Sequence, residues 1–113
     1  MPLPPNDPSH VAGPPVRLQL TGALDILTAP EELERILVEG RHAGDCVELD
    51  LGGVEFIDSS GISMLIEARN HFDNLNCALV VVNPSKAVLR LLVLTGLTHA
   101  FGIMDAPMES SEG

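Results

Sequence analysis

Strand-like and helix-like segments alternate along this chain of 113 residues, and their order limits the available folds more than any other feature. Apolar residues occupy every second position in residues 16–20 and 46–51, as in strands with one buried face. Residues 78–82 are apolar throughout, so we expect a parallel strand covered on both faces and central in its sheet. A last short strand is expected around residues 100–104. Strands separated by helices imply parallel crossovers, which predicts an α/β sandwich with a central, mostly parallel sheet of about four strands.

Helices are expected between and after these strands, at residues 28–40, 60–75 and 85–96. Each carries apolar residues three or four positions apart, which places them on one side of the helix, facing the sheet. Thr28 and the glutamate three residues later have the spacing of a capping box. Ser85 is expected to cap the last helix through its side-chain oxygen.

The chain length fits a single domain with a short segment left outside it at each end. Residues 1–15 hold six of the nine prolines and show no apolar alternation, so we expect a disordered, proline-rich arm. Residues 106–113 are predicted to be a disordered acidic tail. The folded domain is therefore predicted to span residues 16–105.

Charge and composition exclude several classes of function. Sixteen acids against six bases give a net charge of −10, which repels phosphate backbones and argues against direct nucleic-acid binding. No apolar stretch approaches the roughly 20 residues of a membrane span, and no export signal is visible. We therefore expect no membrane association and a cytoplasmic location. Cys46 and Cys77 are expected to be buried, reduced thiols.

An acid, two serines and a glycine interrupt the apolar run of residues 54–65, where a strand ends and a helix begins. The first turn of a helix has unpaired backbone N–H groups and favours negative charge. Ser59 is thus either a hydroxyl open to modification or the helix N-cap. Asp58 and Asp25 fall at the carboxyl ends of predicted strands, where α/β sheets bind ligands, so both could contact a partner. The alternative role is helix capping for Asp58 and turn formation for Asp25. Met64 lies between the predicted core and the surface near the serines.

Several blocks resemble, in matching order, the motifs of one family. Residues 21–25 are similar to a Gly-x-Leu-Asp turn, and residues 56–61 are similar to an Asp-Ser-Ser-Gly phosphorylation loop. Residues 83–85 and 88–101 resemble the last helix-strand unit of the same family. On these motifs the chain, over residues 16–104, resembles the STAS family, and most closely the bacterial anti-sigma factor antagonists.

The resemblance implies that another protein modifies this chain. Ser59, directly after the aspartate, would be phosphorylated by an anti-sigma factor that is itself a serine kinase, and a serine phosphatase would act on the phosphorylated form. The unphosphorylated protein would bind the anti-sigma factor and free a sigma factor for transcription, and the phosphoprotein would let go. The residues expected to contact the partner are Asp25, Asp58, Ser60, Gly61 and Met64.

Two departures from the family concern the ends of the chain. The proline-rich arm stands where the family usually has a first edge strand, and the acidic tail stands where it usually has a final helix. Both losses would uncover apolar surface or a strand edge, so we expect a shortened fold or a homodimer formed through the bared region. Ala23 also replaces an acid that is common in the family's turn, which concerns partner affinity more than the fold.

Two other functions are alternatives to this prediction. A STAS scaffold or accessory subunit of a stress-signalling or transporter complex would need no serine modification. A small serine hydrolase or nucleotide-binding enzyme would use Ser59 or Ser60 as a nucleophile, but residues 60–63 do not match Gly-x-Ser-x-Gly. Neither triad nor metal-ligand spacing is found among His10, His42, His71 and His99. We therefore predict no enzymatic activity, no metal and no cofactor.

Overall fold

A computed structural model describes residues 15–103 of the chain. Strands and α-helices alternate in it, with two short 3-10 helices. In chain order the elements are β1 (Val16–Leu24), α1 (Ala29–Glu39), a 3-10 helix (Gly40–His42), β2 (Cys46–Ile57), α2 (Ser59–Asp73), β3 (Ala78–Val82), α3 (Lys86–Thr95) and a second 3-10 helix (His99–Phe101). Within these residues no helix is both long enough and apolar enough to cross a bilayer. Apart from Pro15, the predicted arm and tail lie outside the described residues.

The strand pairs of the described residues are parallel, in the order β1–β2–β3, which confirms the predicted α/β class. β2 is therefore the central strand, and the prediction that Ala78–Val82 is central is wrong. The continuous apolar run of β3 has another cause. Its Leu79 and Val81 are buried in the core, and the intervening Val80 packs against the turn at Gly102, so an edge strand is covered on both faces.

The strand predicted around residues 100–104 is also wrong for the residues that the structure describes. His99–Phe101 forms a 3-10 helix in which the Phe101 side chain is fully buried. Arg69 of α2 donates from its Nε to the Ala100 carbonyl at 2.7 Å. The apolar residues that indicated a strand therefore fill the core as a helical turn, and the described sheet has three strands instead of about four.

The helix N-termini agree with the sequence at α3 and differ from it at α1. Ser85 caps α3, its Oγ accepting from the Val88 N–H at 3.2 Å. Thr28 precedes α1 but makes no side-chain cap. Its hydroxyl instead accepts from the Asp25 N–H at 2.9 Å and donates to the Ala23 carbonyl at 2.7 Å. Thr28 therefore closes the turn after β1, and the capping-box prediction is wrong.

β1 and β2 both run further than the sequence indicated, and they end side by side. β1 extends to Leu24, and β2 continues through Gly52 and Gly53 to Ile57, which pairs with Leu24. A β-carbon on Gly52 would overlap the Asn83 side chain, and one on Gly53 would lie 2.7 Å from Cγ2 of Thr21, so neighbouring segments pack closely against β2 here. The extension carries the ends of both strands to the edge where α2 begins.

One apolar core joins the sheet to the helices. Its largest fully buried side chains come from β1, β2, all three α-helices and the second 3-10 helix: Phe72, Phe101, Leu20, Leu24, Ile36, Leu49, Leu51, Leu65, Leu92, Val47, Val54 and Val88. Leu75, the last residue of the helix predicted at residues 60–75, was expected to face the sheet with the other apolar residues of that helix; it is 61% exposed, because α2 ends at Asp73.

The two cysteines lie near the amino ends of β2 and β3 as free thiols. Cys77 is buried as predicted, whereas Cys46 is only half-buried. Burial raises the pKa of both thiols, since it disfavours the charged thiolate. Both side chains are therefore protonated at neutral pH and behave as small apolar groups.

Candidate functional site

The ends of β1 and β2 and the start of α2 meet at one edge of the sheet. The Asp58 N–H donates to the Leu24 carbonyl at 3.3 Å, which joins the last residue of β1 to the residue between β2 and α2. Leu24 also pairs with Ile57 at the end of β2. Carboxyl ends of parallel strands are where α/β sheets present functional side chains, and this edge presents Ser59.

Asp58 is the N-cap of α2. Its Oδ1 accepts from the Ser60 N–H at 2.8 Å and from the Gly61 N–H at 3.3 Å. One carboxylate oxygen thus satisfies two of the N–H groups that a helix start leaves unpaired, and its charge suits the positive end of the helix. The N-cap role considered for Ser59 is therefore filled by Asp58.

Ser59 is the first residue of α2, and its side chain is exposed. Because Asp58 caps the helix, the start of α2 does not need the Ser59 hydroxyl. Ser60 is half-buried and so presents its hydroxyl less openly. An exposed hydroxyl that can rotate is what a phosphoryl-transfer enzyme requires of its acceptor.

Gly61 is the point where α2 comes closest to the strands. A β-carbon at this position would lie 2.7 Å from the Leu24 carbonyl oxygen and 2.7 Å from Cγ1 of Ile57. Gly61 is itself buried, so its place in the structure is to let the first turn of α2 rest on the strand ends. This close approach fixes the height of Ser59 above the sheet.

Asp25 holds the turn between β1 and α1. Its Oδ1 accepts from the Thr28 N–H at 3.1 Å and from the Leu27 N–H at 2.9 Å. These bonds, the one from Thr28 foremost, stabilise the carboxylate and hold the pKa of Asp25 below its ordinary value. The turn formation considered for Asp25 is therefore present. It projects two apolar side chains, Ile26 and Leu27, which are 72% and 80% exposed.

An open groove of about 370 Å³ runs between α1 and α2 beside Ser59. Nine residues line it, from the turn between β1 and α1, from α1 and from α2: Ile26, Ala29, Pro30, Leu33, Ser59, Ser60, Ser63, Met64 and Glu67. Met64 is only 3% exposed, yet it lines the groove. Of the two alternatives for this residue, the structure places Met64 in the core, although it contributes to the lining of the groove.

The structure brings some predicted site residues together and sets others beneath them. Ser59, Ser60 and Met64 share the groove. Asp58 and Gly61 do not line it; they hold the first turn of α2 against the sheet. The predicted site is therefore one exposed serine at the end of a groove, with a supporting layer below it.

Six residues of the groove lining were not predicted to belong to the site: Ile26, Ala29, Pro30, Leu33, Ser63 and Glu67. The sequence could have indicated Ile26. It and the adjacent Leu27 are apolar residues within the turn closed by Asp25 and Thr28, and exposed apolar residues of this kind are typical of a contact surface. No sequence feature indicates that Leu33 and Glu67 line the same groove, because this depends on how α1 packs against α2.

The groove offers contact surface and an acceptor hydroxyl, and its lining contains no histidine, lysine or arginine. His42, His71 and His99 are exposed and lie elsewhere on the described residues. Within residues 15–103 no three His, Cys, Asp or Glu side chains come together in a way that could hold a metal ion. Serine acts as a nucleophile when a base stands beside it, and this lining supplies only the single carboxylate of Glu67.

A family model described as "Mlab, STAS domain" matches residues 10–105, which is most of the chain. The anti-sigma-B factor antagonist of Staphylococcus epidermidis is 31% identical over 81 residues, covering 71% of this chain and 74% of that protein. The probable sulfate transporter 3.4 of Arabidopsis thaliana is 32% identical over 75 residues. That match covers 66% of this chain but only 12% of the transporter, so the chain corresponds to a small part of it.

Two solved structures share the fold. The anti-sigma factor antagonist SpoIIAA in its unphosphorylated form has a TM-score of 0.63 at 20% identity, covering 74% of this chain and 76% of that one. The STAS domain of a SulP transporter from Vibrio cholerae has a TM-score of 0.61 at 24% identity, covering 78% and 68%. At these identities the likeness concerns the fold alone.

Proposed function

The chain belongs to the STAS domain family, and we propose that it is an anti-sigma factor antagonist controlled by phosphorylation of Ser59. In this proposal the unphosphorylated protein binds an anti-sigma factor that is a serine kinase, and so frees a sigma factor for transcription. The phosphorylated protein is released, and a serine phosphatase restores the binding form. The proposal places this cycle in the cytoplasm.

The observation that carries the proposal is the exposed hydroxyl of Ser59 on a helix start that Asp58 already caps. The serine thus adds nothing essential to the helix and stands open at the end of a groove. The antagonist relatives support the same function, because they match this chain along most of their own length.

Phosphorylation would require little from this chain beyond position. The Ser59 oxygen attacks the γ-phosphorus of ATP held by the kinase, the new oxygen–phosphorus bond replaces the bond to the β-phosphate oxygen, and ADP leaves. The hydroxyl proton passes to a base of the kinase. Asp58 contributes by holding the first turn of α2, so that the hydroxyl is presented in one place.

Release would follow from charge at the same contact. A phosphate adds roughly −1.5 to −2 charge at neutral pH, and the transfer leaves it facing the phosphates of ADP. Two N–H groups of the helix start that could bind a phosphate already bond to Asp58. The described lining of the groove has no basic side chain. The phosphate is therefore left without a counter-charge on this surface and repels the nucleotide-bound partner.

The proposal is tested on the tagged chain isolated from its own cells, with phosphorylated residues mapped by mass spectrometry. Phosphate is expected on Ser59, absent in Ser59→Ala and retained in Ser63→Ala, a serine-to-alanine change one helical turn away. Addition of ATP to the complex with the anti-sigma kinase should transfer one phosphate and separate the two proteins. An active kinase that leaves Ser59 unmodified would overturn the proposal.

A second candidate is supported by the match to sulfate transporters: an accessory or scaffold function in a transporter complex, without serine modification. The fold likeness to the STAS domain of a SulP transporter agrees with it. Co-purification with a membrane transporter, together with equal affinity of wild type and Ser59→Asp for that partner, would favour this candidate. Co-purification with a kinase, lost in Ser59→Asp, would favour the antagonist.

A further inference from the structure

We propose that the groove between α1 and α2 binds one amphipathic, basic helix of the partner protein. Its apolar side chains would lie against Ile26, Pro30 and Leu33, and one basic side chain would meet Glu67. The inference rests on the proposed function in taking the surface beside Ser59 as the docking site. It adds what kind of element docks there.

The shape of the groove fits a helix. On the α2 side, Ser59, Ser63 and Glu67 recur every four residues, so they form one row along the helix. The row spans about 12 Å, or roughly two helical turns, at about 1.5 Å per residue. The opposite wall is Pro30 and Leu33 of α1. A third helix laid between two packed helices sets its own side-chain ridge into such a groove.

Other occupants fit less well. An extended peptide gains its affinity from main-chain hydrogen bonds along a strand edge, whereas both walls here are helices whose backbone groups are bonded internally. A small molecule is usually buried over most of its surface, and this groove is open along one side. A helix needs neither a main-chain partner nor full enclosure.

Charge specifies the kind of helix. Glu67 is the one charged residue of the lining, and α1 carries four glutamates beside a single arginine. That arginine, Arg35, already pairs with Glu32 at 3.0 Å and with Glu39 at 3.4 Å. With a net charge of −10, a second copy of this chain is repelled and a basic helix is attracted.

The two ends of the groove would then have different tasks. Ser59 faces the nucleotide phosphates of the kinase, and Glu67 faces a basic side chain about 12 Å further along α2. That separation exceeds the Debye length of about 8 Å at physiological salt. A phosphate on Ser59 can therefore repel the nucleotide without strengthening the attraction at Glu67 by much.

The test is a titration of the full-length chain, observed through its backbone amide NMR signals, with designed helical peptides of about 18 residues. The first peptide has leucines at i, i+3, i+4 and i+7 with flanking lysines, and the second has glutamates in place of the lysines. The lysine peptide should shift the amide signals of Leu33, Ser63 and Met64, and the glutamate peptide should not. Glu67→Lys should weaken binding of the lysine peptide roughly tenfold.

Two variants serve as controls. Glu55→Lys makes the same charge reversal on an exposed residue of β2 outside the groove, and should change the affinity by less than about twofold. Ser63→Tyr adds bulk at an exposed lining residue, and should abolish the groove shifts while the remaining spectrum stays folded.

Shifts spread over the whole surface, equal binding of both peptides, or equal effects of Glu67→Lys and Glu55→Lys would overturn the inference. So would groove signals that change on dilution of the protein alone, since they would assign the groove to a second copy. No kinase takes part in the titration. Its failure is therefore distinct from a failure of Ser59 phosphorylation, and the proposed function survives it.

Discussion

Gly61 and Leu24 approach each other more closely than any other residue type at position 61 would allow. A β-carbon on residue 61 would lie 2.7 Å from the Leu24 carbonyl oxygen. The same carbonyl accepts the Asp58 N–H at 3.3 Å. One carbonyl group at the end of β1 thus contacts both the cap and the third residue of α2, and the position of Ser59 depends on it.

Gly61→Ala is expected to destabilise the protein by about 1–3 kcal/mol, because the new methyl group would overlap main-chain and core atoms that cannot move aside cheaply. Thermal unfolding followed by circular dichroism should show a melting temperature lower by at least about 4 °C. Ser63→Ala, on an exposed residue of the same helix, should stay within about 0.5 kcal/mol of wild type. A Gly61→Ala protein as stable as Ser63→Ala would contradict the close approach.

Asp58→Ala is expected to cost about 1 kcal/mol, since two N–H groups of the first turn of α2 lose their acceptor. Asp58→Asn keeps an acceptor oxygen and should lose only a few tenths of a kcal/mol of stability. Urea unfolding measures the difference in stability between the two variants. The asparagine variant thereby isolates the charge: reduced partner affinity at full stability would assign Asp58 a direct contact. Equal losses of stability in both variants would show that the cap hydrogen bonds contribute nothing.

Local patterns explain which features the sequence could predict. The alternation of strand-like and helix-like segments predicts the α/β class, and the acid-serine-serine-glycine sequence at residues 58–61 marks the edge of the sheet at which the candidate site lies. The Ser85 cap was also predictable, because its partner, the Val88 N–H, is three residues away.

The errors concern contacts between distant segments. Ala78–Val82 is apolar because the core covers one face and the turn at Gly102 the other, and hydropathy alone does not distinguish this from a central strand. Thr28 has the spacing of a capping box, but Asp25 and the end of β1 compete for its hydroxyl. The groove depends on the packing of α1 against α2, which no local pattern encodes.

Asp25 makes stability depend on pH at the acid end. Hydrogen bonds from the Thr28 and Leu27 N–H groups hold its pKa below the ordinary 3.8, so the folded state binds the proton less readily than the unfolded state. Its stabilisation is complete above that value and is lost as the pH falls through the lower pKa of the folded state. Urea midpoints measured from pH 6 to about pH 2.5 should therefore fall less steeply in Asp25→Asn than in wild type.

Some acid dependence should remain in Asp25→Asn. The Gly52 N–H, the Asn83 amide and Arg17 lower the pKa of Asp50 in the same direction. Asp73→Asn removes an exposed carboxylate outside the turn and is the charge-matched control. An identical slope in wild type and Asp25→Asn would contradict the assigned turn hydrogen bonds.

Ser59→Glu is expected to weaken binding to the ADP-loaded anti-sigma kinase by tens of fold. Two unit charges about 6 Å apart near a protein surface interact by roughly 2–3 kcal/mol, which corresponds to that change in affinity. The variant should fold normally, because a carboxylate in the first turn of α2 suits the helix dipole. Asn70→Glu adds the same charge on an exposed residue of α2 outside the groove and should cost less than about fivefold.

The effect of Ser59→Glu is expected to depend on the ADP bound to the kinase. If the negative charge at residue 59 acts on the phosphates of ADP, removing ADP from the kinase should restore most of the affinity that Ser59→Glu loses. Isothermal titration calorimetry with and without ADP measures this difference, and higher salt should reduce it because the charges are exposed. Ser59→Gln, of nearly equal size and without charge, should bind well in both conditions. Equal losses for the glutamate and glutamine variants, independent of ADP, would assign release to bulk and contradict the electrostatic explanation.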